Sequence, residues 1–182
     1  MPFEESRIRR LAMIALIAQV TSGIEGRTKL QKMVYLVNLS GWNCINDFKF
    51  HHYGPFSGTL AKELEGMKNN EWIRETARST GNDRTLYMYR IPPRRRNIVN
   101  GIIARIHDQN LVRRTSGLVK QLDQFSSDEL EIMSSLVYVR DSQPQLDDSS
   151  LVQIVQELKP RFTIDQIRRG LRVFNILRPL RA

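Results

Sequence analysis

The first stretch of the chain has apolar residues on almost every side of a helix. Residues 6–20 place leucine, isoleucine, methionine and valine at spacings that leave no wide polar face. A helix of this kind usually lies in the centre of a domain. A second helix is predicted to begin at Thr28, which stands three residues before Gln31 as in a capping box, and to end before Gly41.

An aromatic segment over residues 48–53 changes from helical to alternating spacing and suits a short strand. A structural turn follows, because glycine permits a tight turn, proline fixes φ and serine can cap a helix. The predicted turn residues are Tyr53, Gly54, Pro55 and Ser57. The rings of Tyr53 and Phe56 are expected to pack. Ser57 is expected to cap a third helix that ends near Asn69.

A β-hairpin is predicted after the third helix. Residues 72–78 and 84–91 suit two strands, the second of which alternates between two faces, and Gly81-Asn82-Asp83 forms the turn between them. The predicted order is therefore helix, helix, strand, helix and hairpin. This is the order of a winged helix, in which the third helix can enter a major groove while the hairpin touches the backbone beside it.

The second half of the chain has helical spacing only. Pro92 and Pro93 stop the last strand, and several capping-box spacings mark new helices. These are Ser126 with Glu129, Ser150 with Gln153, and Thr163 with Gln166. We therefore predict an α+β, mostly α protein. A winged-helix-like N-terminal domain is expected over residues 1–92, followed by a helical domain over residues 93–182.

The charge of the chain is unevenly distributed. The formal net charge is +9 and the pI is about 10.1. The net charge is +4 over residues 1–90 and +6 over residues 91–120, against −1 over residues 121–182. A positive surface favours a polyanion, most often nucleic acid. A solvated basic surface, or a docking face for an acidic partner, is an equally open interpretation.

The single cysteine, Cys44, excludes an intramolecular disulfide, which suits a reducing compartment. The N-terminus has no signal-peptide pattern. The longest apolar stretch, residues 11–18, is far shorter than a membrane-spanning helix. These features predict a soluble, cytoplasmic protein with no membrane association.

Few residues are candidates for catalysis or for metal or cofactor binding. His51 and His52 invite a metal hypothesis, but adjacent residues on a strand point to opposite faces. Cys44 has no recognisable base motif near it, and the chain contains no glycine-rich phosphate loop. We therefore expect no metal, no cofactor and no enzymatic activity.

Basic side chains are the candidate contacts to DNA. The third helix has nearly equal numbers of acidic and basic residues, and phosphate contacts need cations. Binding through the hairpin and the arginines after it, with little sequence readout, is therefore predicted. Lys29 and Lys32 could also contact phosphate, and a solvated helix face is the open alternative. The candidate residues are Arg27, Lys29, Lys32, Lys62, Arg74, Arg78, Arg84, Arg90, Arg94, Arg95 and Arg96.

Two short sequence motifs, which we call phrases, are more specific evidence of a protein family than the composition is. They are Gly26-Arg27-Thr28-Lys29-Leu30-Gln31-Lys32 and Phe50-His51-His52-Tyr53-Gly54-Pro55-Phe56-Ser57. Together they resemble the YwgA-like proteins of bacteria and archaea, and more distantly the Panacea domain of SocA-type antitoxins. The phrase Leu158-Lys159-Pro160-Arg161-Phe162-Thr163 also resembles the C-terminal part of the YwgA-like proteins.

The resemblance to YwgA-like proteins implies a winged-helix-like core and a regulatory role. The resemblance to the Panacea domain implies binding of a protein such as a toxin, and no catalytic residue comes with either likeness. Two hypotheses therefore stand. One is a DNA-binding transcriptional regulator, and the other is a protein-binding module of antitoxin or adaptor type. A homodimer through the C-terminal helices is expected, because many such regulators pair their sites by two-fold symmetry.

Overall fold

The structure is a computed structural model that describes residues 3–79 and 85–177. The elements before residue 92 are α1 (Phe3–Val20), β1 (Ile24–Glu25), α2 (Arg27–Val37), β2 (Lys49–His51), β3 (Gly54–Phe56), α3 (Gly58–Asn69), β4 (Arg74–Ser79) and β5 (Thr85–Arg90). Those after it are α4 (Arg96–Ala104), α5 (Gln109–Leu122), α6 (Ser127–Ser142), α7 (Asp148–Leu158) and α8 (Ile164–Leu177). The predicted α+β, mostly helical fold class is confirmed.

Helix α1 lies in the centre of the protein, as its lack of a polar face predicts. Its residues from Ala12 to Ala18 are all buried. Helices α2, α3, α4 and α5 pack around it. Near its first turns, Arg10 donates a hydrogen bond to the carboxylate of Glu63 on α3 at 3.0 Å. The apolar positions of α1 therefore supply the surface on which the other elements assemble.

Strand β1 was not predicted, because two residues are too few to show alternation. It pairs with β5, which pairs with β4, so the sheet has the order β1-β5-β4. Gly26 follows β1 with φ +96° and donates a backbone hydrogen bond to Tyr87 at 2.7 Å. Helix α2 begins directly afterwards at Arg27. The predicted capping box at Thr28 is therefore wrong, since the N-cap position belongs to a glycine held in the sheet.

Most other predicted helix starts are confirmed. The capping side chains belong to Ser57 for α3, Ser126 for α6 and Thr163 for α8. Helix α7 is the exception, because it begins at Asp148 and not after Ser150. The carboxylate of Asp147 accepts a hydrogen bond from the backbone N–H of Ser150 and so takes the capping role.

Residues 54–56, predicted only as a turn, form strand β3 and pair antiparallel with β2. The register places Phe50 opposite Pro55, which is buried against the protein. The predicted packing of Tyr53 and Phe56 is wrong, since these side chains are 56% and 39% exposed. Tyr53 lies in the loop between the strands, and Phe56 follows Pro55 onto the outer face of the strand pair.

The hydrophobic core is continuous across residue 92. Trp42 is fully buried and donates a hydrogen bond from Nε1 to Oγ1 of Thr115 on α5 at 2.8 Å. Helix α6 packs on α2 and β3, and helices α7 and α8 pack on α6. The predicted boundary between residues 92 and 93 therefore separates elements that share one core.

Candidate nucleic-acid interface

The pairing of β4 with β5 sorts the hairpin side chains onto two faces. Arg74 lies directly opposite Arg90, and Arg78 lies opposite Leu86 on the same outer face. Tyr89, on the inner face, is buried. The three arginines are exposed. Because like charges directly opposite each other disfavour strand pairing, Arg74 and Arg90 cost stability unless an anion lies between them.

Glu71, just after α3, holds two arginines of the linker beside the β4–β5 hairpin. The linker is the segment of residues 91–95 between β5 and α4. Its carboxylate pairs with Arg94 at 2.8 Å and with Arg95 at 2.7 Å. The hydrogen bond from Arg95 lowers the pKa of Glu71, and the charges of Arg94 and Arg74 act in the same direction. Three arginines from the hairpin and the linker therefore surround one carboxylate at the C-terminal end of α3.

These arginines form a surface that we call the basic strip. The basic strip comprises Arg74, Arg78, Arg90, Arg94, Arg95 and Arg96. Arg96, the first residue of α4, is exposed. Arg84, which was predicted to belong to the same surface, lies outside the described residues. The strip joins the outer face of the hairpin to the start of the helical half of the chain.

Arg27 supports the hairpin from its inner face. Its guanidinium donates to the hydroxyl of Tyr89 at 3.1 Å and pairs with Glu75 at 3.3 Å. It also stacks on the ring of Tyr87, 4.2 Å from the ring centroid. The hydrogen bonds to Tyr89 and Glu75 raise the pKa of Arg27. Arg27 therefore holds β4 and β5 to the start of α2, away from the outer face that carries the basic strip.

Lys29 and Gln31 face the protein as well. The ammonium group of Lys29 lies 3.0 Å from the carboxylate of Asp123, just beyond α5. The side-chain amide of Gln31 makes two hydrogen bonds with the backbone of Ser57. Its Nε2 donates to the carbonyl oxygen at 3.2 Å, and its Oε1 accepts from the N–H at 3.1 Å. The lysine-rich phrase at the start of α2 therefore joins distant parts of the chain.

The burial of Lys32 contradicts its predicted contact with nucleic acid. Lys32 is 2% exposed, and its Nζ donates a hydrogen bond to the carbonyl oxygen of Pro55 at 2.6 Å. Loss of water around the charge lowers the pKa of Lys32 to about 8, although the nearby Glu131 acts in the opposite direction. A phosphate group on the surface cannot reach this ammonium group.

Glu131 on α6 is the buried centre of a group of charges that was not predicted from the sequence. Its carboxylate is 0% exposed and pairs with Lys159 at 3.3 Å and with Arg161 at 2.8 Å. Lys159 in turn donates hydrogen bonds to the carbonyl oxygens of His51, at 3.0 Å, and His52. We call Lys32, Glu131, Lys159 and Arg161 the charge cluster. Its signal in the sequence was that Lys32, Lys159 and Arg161 lie in phrases that carry the resemblance.

Helix α3 has few cationic side chains that are not already in ion pairs within the protein. Lys68 pairs with Glu65 at 2.9 Å and with Glu75 at 3.4 Å. Glu63 is held by Arg10 of α1. Lys62, a predicted contact, is exposed on this helix. The polar surface of α3 is therefore largely paired within the protein. In the basic strip Arg94 and Arg95 pair with Glu71, whereas Arg74, Arg78, Arg90 and Arg96 are exposed.

Across the described residues, no three histidine, cysteine, aspartate or glutamate side chains are grouped as a metal site would need. No helix within residues 3–79 and 85–177 combines the length and apolar character needed to span a bilayer.

The comparisons with known proteins add a partial relationship. No family model matches the chain. Over 58 residues the chain is 34% identical to the uncharacterized protein YwgA of Bacillus subtilis (strain 168). The match covers 32% of this chain and 35% of the length of YwgA. It supports the YwgA-like resemblance over that segment.

Proposed function

We propose that the protein is a non-enzymatic, cytoplasmic regulator of the YwgA-like type that binds duplex DNA through the basic strip. The observation that carries the proposal is the placement of Arg74 opposite Arg90 on the exposed face of the hairpin. Such a pair is unfavourable without an anion, and the single carboxylate of Glu71, shared with Arg94 and Arg95, offsets only part of this repulsion. The phosphate backbone of DNA supplies a row of anions at this position.

The order and pairing of the elements support a winged-helix interpretation. Strand β1 follows the first helix and pairs with the second strand of the β4–β5 hairpin, and α3 directly precedes that hairpin. In this interpretation the hairpin is the wing. A wing lies beside the DNA backbone, where the arginines of the basic strip would meet phosphate groups.

The charges of α3 favour binding with little sequence readout. Its lysine and glutamate side chains are mostly paired within the protein, and few cations remain to orient it on DNA. Phosphate contacts position a protein without reading sequence. We therefore infer that the basic strip provides most of the affinity and that binding is strongly salt-dependent.

The test is fluorescence anisotropy with a labelled random-sequence duplex at several salt concentrations. The triple variant Arg74→Ala, Arg90→Ala, Arg94→Ala removes three charges of the basic strip. A matched control is Arg168→Ala, Arg169→Ala, Arg172→Ala, which removes three exposed charges from α8. We expect the strip variant to lower the slope of log K against log salt by about 2 to 3, since each phosphate contact contributes about 0.9.

Equal loss in both variants would mean that net charge alone drives binding. Absence of binding to the duplex at low salt would contradict the proposal. That result would favour the alternative, a protein-binding module of antitoxin or adaptor type. Sedimentation of the wild-type protein, free and with duplex, tests the accompanying expectation of a homodimer.

A further inference from the structure

The β2–β3 strand pair presents an aromatic surface that duplex binding does not use. Lys49 lies opposite Phe56, and His51 lies opposite Gly54, so Lys49, His51 and Phe56 share the outer face. Tyr53 lies in the connecting loop with His52. We call Lys49, His51, His52, Tyr53 and Phe56 the hairpin face. It belongs to the β2–β3 strand pair and not to the β4–β5 hairpin, which carries the basic strip. All five side chains are exposed.

The rings of the hairpin face are arranged in two pairs. The ring centroids of His51 and Phe56 lie 5.3 Å apart at an interplanar angle of 67°. Those of His52 and Tyr53 lie 4.8 Å apart at 84°. Edge-to-face contacts of this kind hold each ring by its neighbour's edge and leave ring surface exposed to solvent.

The backbone beneath these rings is held by the charge cluster. Lys32 binds the carbonyl oxygen of Pro55, and Lys159 binds those of His51 and His52. Charge-assisted hydrogen bonds are stronger than neutral ones, and burial of charge is costly unless every group is paired. The buried ammonium groups of Lys32 and Lys159 therefore lie beneath the β2–β3 strand pair. They hold the backbone that carries the exposed rings.

Cationic side chains lie beside the rings, since Lys49 shares their face and Arg161 lies near Tyr53. Residues 48–57 contain no acidic residue. Arg161 adds a cation near Tyr53, with its guanidinium carbon 6.0 Å from the ring centroid. Asp47 stands just before this segment, where it accepts hydrogen bonds from Ser57 and Thr59, and Arg161 is paired with Asp128 and Glu131.

We propose that the hairpin face binds single-stranded nucleic acid. Unpaired bases stack on Tyr53 and Phe56, and Lys49 and Arg161 lie beside the phosphates. Single strands fit because their bases expose the π-faces that a duplex hides, and sites for them combine aromatic rings with cations. Lysine is depleted in protein interfaces, whereas Lys49 lies directly opposite Phe56 on this face. This site is separate from the basic strip and does not depend on duplex binding.

The test measures binding of a labelled oligothymidylate of about 15 nucleotides, long enough for one such site, by anisotropy at low salt. The double variant Tyr53→Leu, Phe56→Leu removes both rings but keeps apolar side chains. Because stacking of bases on aromatic rings supplies much of the affinity at such sites, we expect affinity to fall about tenfold or more. Tyr53→Trp with Phe56→Trp is expected to keep wild-type affinity or exceed it.

Two controls separate this proposal from the proposed function. Ile98→Ala changes an exposed apolar side chain on α4 and is expected to leave oligothymidylate binding unchanged. The Arg74→Ala, Arg90→Ala, Arg94→Ala variant is expected to lose duplex binding and to keep most oligothymidylate binding. If duplex binding fails in the wild type while ring-dependent binding of the single strand persists, the proposed function falls and this inference stands.

Three results would overturn the inference. The first is no binding of oligothymidylate by the wild-type protein at low salt. The second is unchanged affinity in the Tyr53→Leu, Phe56→Leu variant, which would place the single strand on the basic strip. The third is a protein partner that needs both rings while oligothymidylate does not bind. In that case the occupant of the hairpin face is a protein.

Discussion

Lys32 and Pro55 are joined by a buried hydrogen bond, in which the ammonium group of the lysine donates to the proline carbonyl oxygen at 2.6 Å. Each residue belongs to one of the two phrases that carry the YwgA-like resemblance. Gln31 and Ser57 make a second link between the same phrases. The two phrases therefore describe one structural unit, in which α2 holds the β2–β3 strand pair.

Replacement of Glu131 by glutamine is expected to destabilise the protein strongly. The change leaves the buried charge of Lys159, and that of Lys32 beside it, without their carboxylate. Loss of one partner from a buried ionic group costs about 3–5 kcal/mol. Urea unfolding followed by circular dichroism measures the effect. Asp128→Asn is a matched control, because its carboxylate also pairs with Arg161, at 3.0 Å, but on the surface. Its cost should stay below about 1 kcal/mol.

The stability contributed by Lys32 is expected to rise with pH. Its pKa is about 8 in the folded protein against 10.5 for an ordinary lysine. Between these values the unfolded chain binds more protons at this residue than the folded protein does, so folding becomes more favourable as pH increases. This gain in folding stability is complete above the unfolded-state pKa of 10.5 and absent below the folded-state pKa of about 8.

Thermal unfolding of the wild type and of Lys32→Met, in buffers that span both pKa values, checks this expectation. The difference in Tm between the two proteins isolates Lys32 from other groups that titrate. It should move in favour of the wild type as pH rises. Parallel curves for the two proteins would show that the ammonium group of Lys32 is not perturbed by burial.

Gly54→Ala is expected to destabilise the β2–β3 strand pair. Gly54 has φ +82°, and an added Cβ would lie 3.2 Å from Oγ of Ser135 and 3.3 Å from Cε of Lys32. A left-handed conformation costs an alanine about 1–2 kcal/mol before any steric contact is counted. Gly66→Ala on α3 is the control, since nothing lies within 4 Å of the added Cβ. It should stabilise the helix by up to about 1 kcal/mol. Urea midpoints that shift alike for both variants would contradict this account.

Glu71→Gln is expected to strengthen binding to duplex DNA. The change removes the carboxylate that pairs with Arg94 and Arg95 and leaves both guanidinium groups for phosphate. Surface ion pairs are weak, so an increase of roughly a few-fold is expected at low salt. Anisotropy titration provides the measurement, with Glu65→Gln as a control that changes charge equally on α3. An equal gain in the control would point to net charge instead of release of the linker arginines.

The sequence alone determined the elements whose signals are local. Burial of α1 followed from its apolar pattern, because helix periodicity is visible within a few turns. The caps at Ser57, Ser126 and Thr163 followed from spacings of three residues. The alternation of β5 assigned Tyr89 and Arg90 to opposite faces, as the register confirms. Each of these features depends on residues that are close neighbours in the chain.

Tertiary structure decided which charged side chains face solvent. The sequence pattern around Lys32 is typical of a surface lysine, yet Lys32 donates a buried hydrogen bond to Pro55, 23 residues away. Lys159 donates a hydrogen bond to His51, 108 residues away. Local spacing cannot show such pairs, because burial depends on which elements pack together. A hydrogen bond from Gly26 to Tyr87, 61 residues away, likewise holds the glycine at the N-cap of α2. Long-range packing thus converted Lys32, a predicted cationic contact, into a buried structural group, and only the structure showed that Tyr53 and Phe56, which were expected to pack, are exposed.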